Sequence, residues 1–284
     1  MSHQARAIWT VRGGAALDGG RRGLIAGIVN VTPDSFFDGG RFAAPQDAVA
    51  HGLTLLAAGA DLLDVGGQST RPGAAPVGAD EEIARAVPVV AQLSPRAPVS
   101  IDTFQAAVAA AALDAGAVIV NDVSACRFDP TLADVLAQYK PGYVLMHSQG
   151  RPQTMQAAPR YDDVVGEILA FFEERLAALT AAGLPEERIV LDPGVGFGKT
   201  LAHNLAIMRG VERFFVLGRP LCLGVSNKSW IGELYGPGAD HRPEATQAAS
   251  ALLAAKGVAV HRVHDVAGAA RALTLAWAIA GERP

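Results

Sequence analysis

Three stretches of the chain repeat one plan: AAGADLLDV at 57–65, DAGAVIVNDV at 114–123 and AKGVAVHRVHD at 255–265. Each leaves an alanine-rich stretch, passes through a glycine, runs on as a short apolar segment and ends in polar or charged residues. A glycine at such a point supplies the left-handed residue that stops a helix. An unbroken apolar run of this length is what a strand buried on both faces looks like. Helix, cap, buried strand and polar terminus, repeated, are the βα units of a parallel sheet.

Working outward, β-rich apolar runs stand at 24–31, 62–66, 99–102, 118–122, 143–147, 189–192, 221–226 and 258–264, eight in all. Helical stretches follow them, at 45–58, 80–93, 104–115, 163–182, 243–256 and 267–280 among others, and Gly59, Gly116, Gly183, Gly257 and Gly281 stand where C-caps belong. The 284 residues divide into units of about 35, the length of one βα repeat. The expected fold is α/β, a (β/α)8 TIM barrel forming one domain over 1–284, with the barrel proper at about 24–281. Residues 7–23 are expected to form a small hairpin-like lid over its N-terminal mouth. The competing arrangement is an open, doubly wound sheet.

Composition narrows the function classes. Half the chain is hydrophobic, which excludes disorder, yet no stretch of 18 consecutive apolar residues marks a membrane span. The start, MSHQARAIWTVRGG, lacks the apolar centre of a secretory signal, and Cys126 and Cys222 are far apart, so the cytoplasm is the expected location. A net charge of -4 with interspersed signs offers no basic stripe, so nucleic acid is not an expected partner.

Barrel chemistry sits at the C-terminal ends of the strands. Those ends carry Asn30, Asp64 followed by Gln68-Ser69-Thr70-Arg71, Asp102, Asn121-Asp122, His147, Asp192, Asn227-Lys228-Ser229, and Arg262 with His264. Asp64, Asp122 and Asp265 read first as caps of turns or helices. Asp102, Asn121 and Asp192 could read the donor edge of a heterocycle, since carboxylates only accept and an amide does both. Arg71, Lys228, Arg262 and His264 could hold an anionic leaving group. Phe36 and Phe37, in a loop rich in small residues, could cover an aromatic ligand. The run 193–200 ends like a phosphate loop, but Pro193 stands where that loop needs its first glycine. His261 and His264 would point to opposite faces of a strand, which disfavours a two-histidine metal site. From the residues alone, Lys228 also suits the Schiff-base nucleophile of an aldolase.

The motifs GIVNVTPDSFFDGG (27–40), DVGGQSTRPGA (64–74), SIDT (100–103), NDV (121–123), LDPGVGFGK (191–199), GVSNKSWIG (224–232) and RVHDV (262–266) resemble, in order, those of the dihydropteroate synthases. The resemblance covers about 24–266 and implies a folate-pathway transferase. Such an enzyme condenses 6-hydroxymethyl-7,8-dihydropterin pyrophosphate with 4-aminobenzoate, giving 7,8-dihydropteroate and pyrophosphate. It implies catalytic roles for Asp102, Lys228, Asp34 and Arg262, and a pterin pocket of Asp102, Asn121, Met146, Asp192, Lys228 and Arg262. It implies a pyrophosphate site of Asn30, Thr70, Arg71, Arg262 and His264, with Mg2+ near Asn30. The aminobenzoate pocket would comprise Phe36, Thr70, Pro72, Phe197, Lys228 and Ser229. It also implies a homodimer and a target of sulfonamides. Two positions depart from the family's pattern: Gln68 stands where Glu is usual, and Asn227 where Arg is usual. The other readings in this neighbourhood are a silent pterin-binding relative and a pterin-binding methyltransferase with a corrinoid partner; the loops after the first two strands match the synthase type.

Overall fold

Side chains along a strand point alternately to opposite faces, so a strand buried on both faces feeds two separate apolar layers. In the computed structural model, which describes residues 7–20, 22–32, 45–70, 73–236 and 242–280, this is how the core is built. The chain opens with an antiparallel hairpin, β1 (Ile8–Thr10) and β2 (Ala16–Asp18). Eight parallel strands follow: β3 (Leu24–Asn30), β4 (Leu62–Gly66), β5 (Val99–Asp102), β6 (Ile119–Asp122), β7 (Gly142–Met146), β8 (Ile189–Asp192), β9 (Cys222–Leu223) and β10 (Val260–Val263). Their spatial order is β8-β7-β6-β5-β4-β3-β10-β9, and a bridge between Leu191 and Leu221 joins the two ends. Sequence neighbours are thus spatial neighbours around a ring, which is the (β/α)8 barrel and not the open sheet.

The surrounding helices are α1 (Pro45–Ala57), α2 (Ala79–Leu93), α3 (Ala106–Asp114), α4 (Leu132–Tyr139), α5 (Val164–Ala181), α6 (Leu201–Arg209), α7 (Ser229–Tyr235), α8 (Arg242–Ala255) and α9 (Val266–Ile279). The six helices named from sequence lie within two residues of these bounds; α4, α6 and α7 are the additional ones, each shorter than ten residues. Gly59, Gly116, Gly183 and Gly257 all have positive φ at the ends of helices, as their spacing implies. Gly281 lies outside the described residues. The run 221–226 pairs only over 221–223, because Val225 and Ser226 leave the sheet for the loop that presents Lys228.

Outward positions such as Ile25, Leu63, Ile101, Val120, Leu145 and Leu191 join the large core beneath the helices. Inward positions Leu24, Ala26, Leu62, Ile119, Val144, Val190, Cys222 and Val260 form a second cluster with Ala7, Trp9 and Val11. The hairpin therefore plugs the barrel's N-terminal mouth. Trp9 Nε1 donates to the Arg188 carbonyl at 2.7 Å, and Arg188 donates back to the Val11 carbonyl at 2.9 Å. Gly142 opens β7 because a Cβ there would stand 2.9 Å from Val11.

Candidate active site

The alternation that fills the lower layer also builds the rim. Two residues beyond inward Leu62, Ser100, Ile119, Val144, Val190 and Val260 stand Asp64, Asp102, Asn121, Met146, Asp192 and Arg262, which therefore face the same interior one layer higher. β9 supplies Gly224 at this level, where an added Cβ would already contact the Arg262 side chain at 3.8 Å. Parallel pairing sets Asp102 beside Asn121 and Met146 beside Asp192.

Arg262 ties the cluster together. Its Nε donates to Asp64 Oδ2 at 2.5 Å and its Nη2 to Asp102 Oδ2 at 2.6 Å, while Asn121 Nδ2 donates to Asp64 Oδ2 at 3.1 Å. Burial pushes the Asp102 carboxyl upward, with the Arg262 guanidinium opposing and the Asp64 charge adding to the push. Asp192 is also raised by burial, against the Gly194 N–H, which donates to its Oδ1 at 2.7 Å, and the nearby Lys228, Lys199 and Arg262. Lys228 Nζ sits over the Phe197 ring, 4.0 Å from its centroid, and its stem crosses Gly196. Burial brings the Lys228 ammonium down to about 8, with Asp192 opposing and Arg262 assisting. One wall of the rim is thus acceptor-rich and a neighbouring one is cationic and aromatic.

Asp102, Asn121, Arg262, Met146 and Asp192 gather as the sequence anticipates, with Met146 buried under the rim. Asn30 ends β3, in register with Gly66, and Thr70 and Ser229 stand on the loops after β4 and β9. His264 Nδ1 lies 3.0 Å from Ser226 Oγ. His261 is fully buried while His264 is partly exposed, as their opposed phases require. Asp34, Phe36, Phe37, Arg71 and Pro72 lie outside the described residues.

Asp122 and Asp265 are caps, as read: Asp122 accepts from the Ser124 and Cys126 N–H groups, and Asp265 from Gly268 N–H at the start of α9. Asp64 corrects that reading. It is 2% exposed and pairs with Arg262 and Asn121 inside the barrel. Its phase, two residues after Leu62 as Asn121 is after Ile119, is the signal that separates it from Asp122. Lys199 is the other residue whose place sequence reasoning missed, since it entered only as part of the phosphate-loop look-alike.

Among the described residues no group of three His, Cys, Asp or Glu is arranged to hold a metal, and no helix is long and apolar enough to cross a membrane. Cys126 and Cys222 are free and buried.

Fold and rim define a barrel enzyme with buried acceptors and cations at the C-terminal ends of its strands. The profile of the pterin binding enzyme family matches residues 26–264. The dihydropteroate synthase of Synechocystis sp. is 41% identical over 270 residues, which is 94% of this chain and 93% of that protein. The crystal structure of Yersinia pestis dihydropteroate synthase in a sulfonamide drug complex superposes with a TM-score of 0.90 at 39% identity, covering 96% of this chain and 99% of that one. The Xanthomonas albilineans dihydropteroate synthase with 4-aminobenzoic acid gives 0.88 at 43% identity, over 97% and 100% of the two chains. The chain belongs to the pterin-binding enzyme family, as one of its dihydropteroate synthases, and is a transferase of folate biosynthesis. The aldolase and open-sheet alternatives fall away.

Proposed function

We propose that the rim joins 6-hydroxymethyl-7,8-dihydropterin pyrophosphate to 4-aminobenzoate, with the residues at the strand ends in the roles that follow. The observation that carries this assignment is the inward cluster of Asp64, Asp102, Asn121, Asp192 and Arg262, an acceptor-rich surface closed around one cation. Acceptors of this kind match the ring N–H and amino donors of a pterin, with Asp102, Asn121 and Asp192 reading the edge, Met146 lining it and Lys228 beside it. Asp64 acts through Arg262 and Asn121, holding both in place.

In the reaction the bond from the pterin methylene to pyrophosphate oxygen breaks, and the electron pair leaves with the oxygen. The aminobenzoate nitrogen then forms the new C–N bond and gives up a proton. Positive charge develops on the ring as the leaving group departs, and the Asp102 carboxylate stands where it stabilises that charge. Arg262, with Asn30, Thr70 and His264, would hold the departing anion, together with Arg71. Phe197, Lys228, Thr70 and Ser229, with Phe36 and Pro72, would enclose the aminobenzoate. Asp34 keeps the catalytic assignment that the motif resemblance gives it.

Asn30 is a hard oxygen donor, and one amide with phosphate oxygens and water is a donor set that suits Mg2+. Asn30 would hold Mg2+, which would neutralise charge on the leaving pyrophosphate. The chain would work as one domain, in the cytoplasm, where its two buried thiols stay reduced. It would pair as a homodimer through helices α8 and α9, whose outer faces carry Leu252, Leu275 and Ile279 at 69%, 62% and 77% exposure. Sulfonamides would compete for the aminobenzoate pocket. Incubation with the pterin pyrophosphate, 4-aminobenzoate and Mg2+ is expected to release dihydropteroate and pyrophosphate in equal amounts; pyrophosphate without dihydropteroate would refute the assignment.

A further inference from the structure

Lys199 lies outside the cluster described above, yet it is 3% exposed and every donor of its ammonium is engaged. Nζ stands 3.1 Å from His147 Nδ1, 3.3 Å from the His147 carbonyl and 3.0 Å from the Phe197 carbonyl. His147 Nδ1 and two backbone carbonyls thus surround Nζ, while burial pushes the Lys199 ammonium down to about 7 with Asp192 opposing. His147 follows β7 and Phe197 lies in the loop after β8, so one side chain bridges neighbouring barrel units.

The rest of that loop is fixed in the same direction. Gly194 has φ +69, and a Cβ there would run into the His147 carbonyl; one at Gly198 would strike Gln149. Gly196 is held on both sides, its N–H donating to Asn204 Oδ1 at 2.8 Å and its carbonyl accepting from Gln156 at 2.7 Å. Tyr161 O–H donates to the Gly198 carbonyl at 3.0 Å. Glycines let the loop press onto the 147–149 segment, Asn204, Gln156 and Tyr161 hold it by hydrogen bonds, and Lys199 reaches the carbonyl of the residue whose ring faces Lys228.

We infer that Lys199 is a positioning residue for the second substrate: by anchoring the Phe197 carbonyl to His147, it sets the ring and the Lys228 ammonium that form one wall of the aminobenzoate pocket. This rests on the proposed pocket of Phe197 and Lys228. The competing role is electrostatic, since Lys199 also helps hold Asp192 ionised. The two separate by substrate, because Asp192 faces the pterin and Phe197 the aminobenzoate.

The test is a double-mutant cycle with steady-state kinetics for both substrates. Lys199→Met keeps the length and apolar stem but removes the three donors. It is expected to raise the KM for 4-aminobenzoate about tenfold, leave the KM for pterin pyrophosphate within about twofold, and change kcat little. In a Phe197→Ala background the same substitution should alter the aminobenzoate KM by less than about twofold, since the ring whose position it sets is gone. Lys199→Gln, which restores a donor amide, should recover part of the loss. Additive effects, or a pterin KM that rises as much as the aminobenzoate KM, would overturn the proposal, as would failure of both Lys199 variants to fold. If Phe197→Ala itself left the aminobenzoate KM unchanged, the pocket assignment would fall instead.

Discussion

At the scale of single residues, the rim concentrates charge where solvent cannot screen it. A carboxylate about 4 Å from a developing cation would gain on the order of 4 kcal/mol at an effective dielectric near 20, but Asp102 already shares its charge with Arg262. Asp102→Asn is therefore expected to lower kcat by roughly a hundredfold, with a smaller change in pterin affinity because Asn121, Asp192 and Lys228 remain. Kinetics showing intact kcat and lost affinity would make Asp102 a recognition group only. His261, fully buried, gives a different prediction, because burial brings its imidazole down to about 4. Between about pH 6.5 and 4 the unfolded chain binds a proton there and the folded chain does not, so stability falls as pH drops through that window. The loss is on the order of 2 to 3 kcal/mol, and urea unfolding of His261→Leu at pH 7 and 4.5 should show a correspondingly shallower decline. The two departures from the family pattern also have local reasons. Asn227 has φ +54, a left-handed conformation that asparagine adopts with less strain than most residues. Gln68 Oε1 lies 3.5 Å from Gln105 Nε2, which also donates to the buried Glu82, so an amide at 68 avoids a second carboxylate at that donor.

At the scale of elements, the hairpin and the rim loops divide the work between stability and chemistry. Trp9 is 1% exposed at the end of the barrel opposite the substrates. Trp9→Ala is expected to cost about 3 to 5 kcal/mol of stability while leaving both KM values and kcat unchanged below its melting temperature. A drop in kcat without a lower Tm would tie the hairpin to the site. The helices needed little beyond local signals. Asp163, Thr200 and Asp265 each cap a helix with a side-chain oxygen, and the glycines after α1, α3, α5 and α8 end them. The short α4, α6 and α7 escaped sequence reading because seven to nine residues give little periodicity to detect and, unlike α3, they carry no alanine-rich run.

At the scale of the whole molecule, the outer face of α9 exposes Leu275 and Ile279 beside a shallow groove along Ala270, Arg271, Thr274, Leu275 and Ala278. Replacing Leu275 and Ile279 together by Glu should convert the proposed dimer to monomers in sedimentation, with activity per chain retained, since the rim lies elsewhere. If the unmodified chain sedimented as a monomer at micromolar concentration, α8 and α9 would lose that role. The number of βα units, their caps and the kinds of residue at the strand ends were determined by the sequence itself, because strand length, helix caps and turn residues act over a few neighbours. The direction each strand end faces was not. Most barrel strands carry apolar residues on both faces, so residue type alone does not mark inside from outside, and Asp64 and Asp122 are told apart only by their phase against the inward layer. Closure placed Asp64 against Arg262, 198 residues away, turned Asp122 toward its own loop, and brought Lys199 onto His147, 52 residues before it. Those pairings depend on the register of strands that meet only in the folded barrel, and only the tertiary structure could decide them.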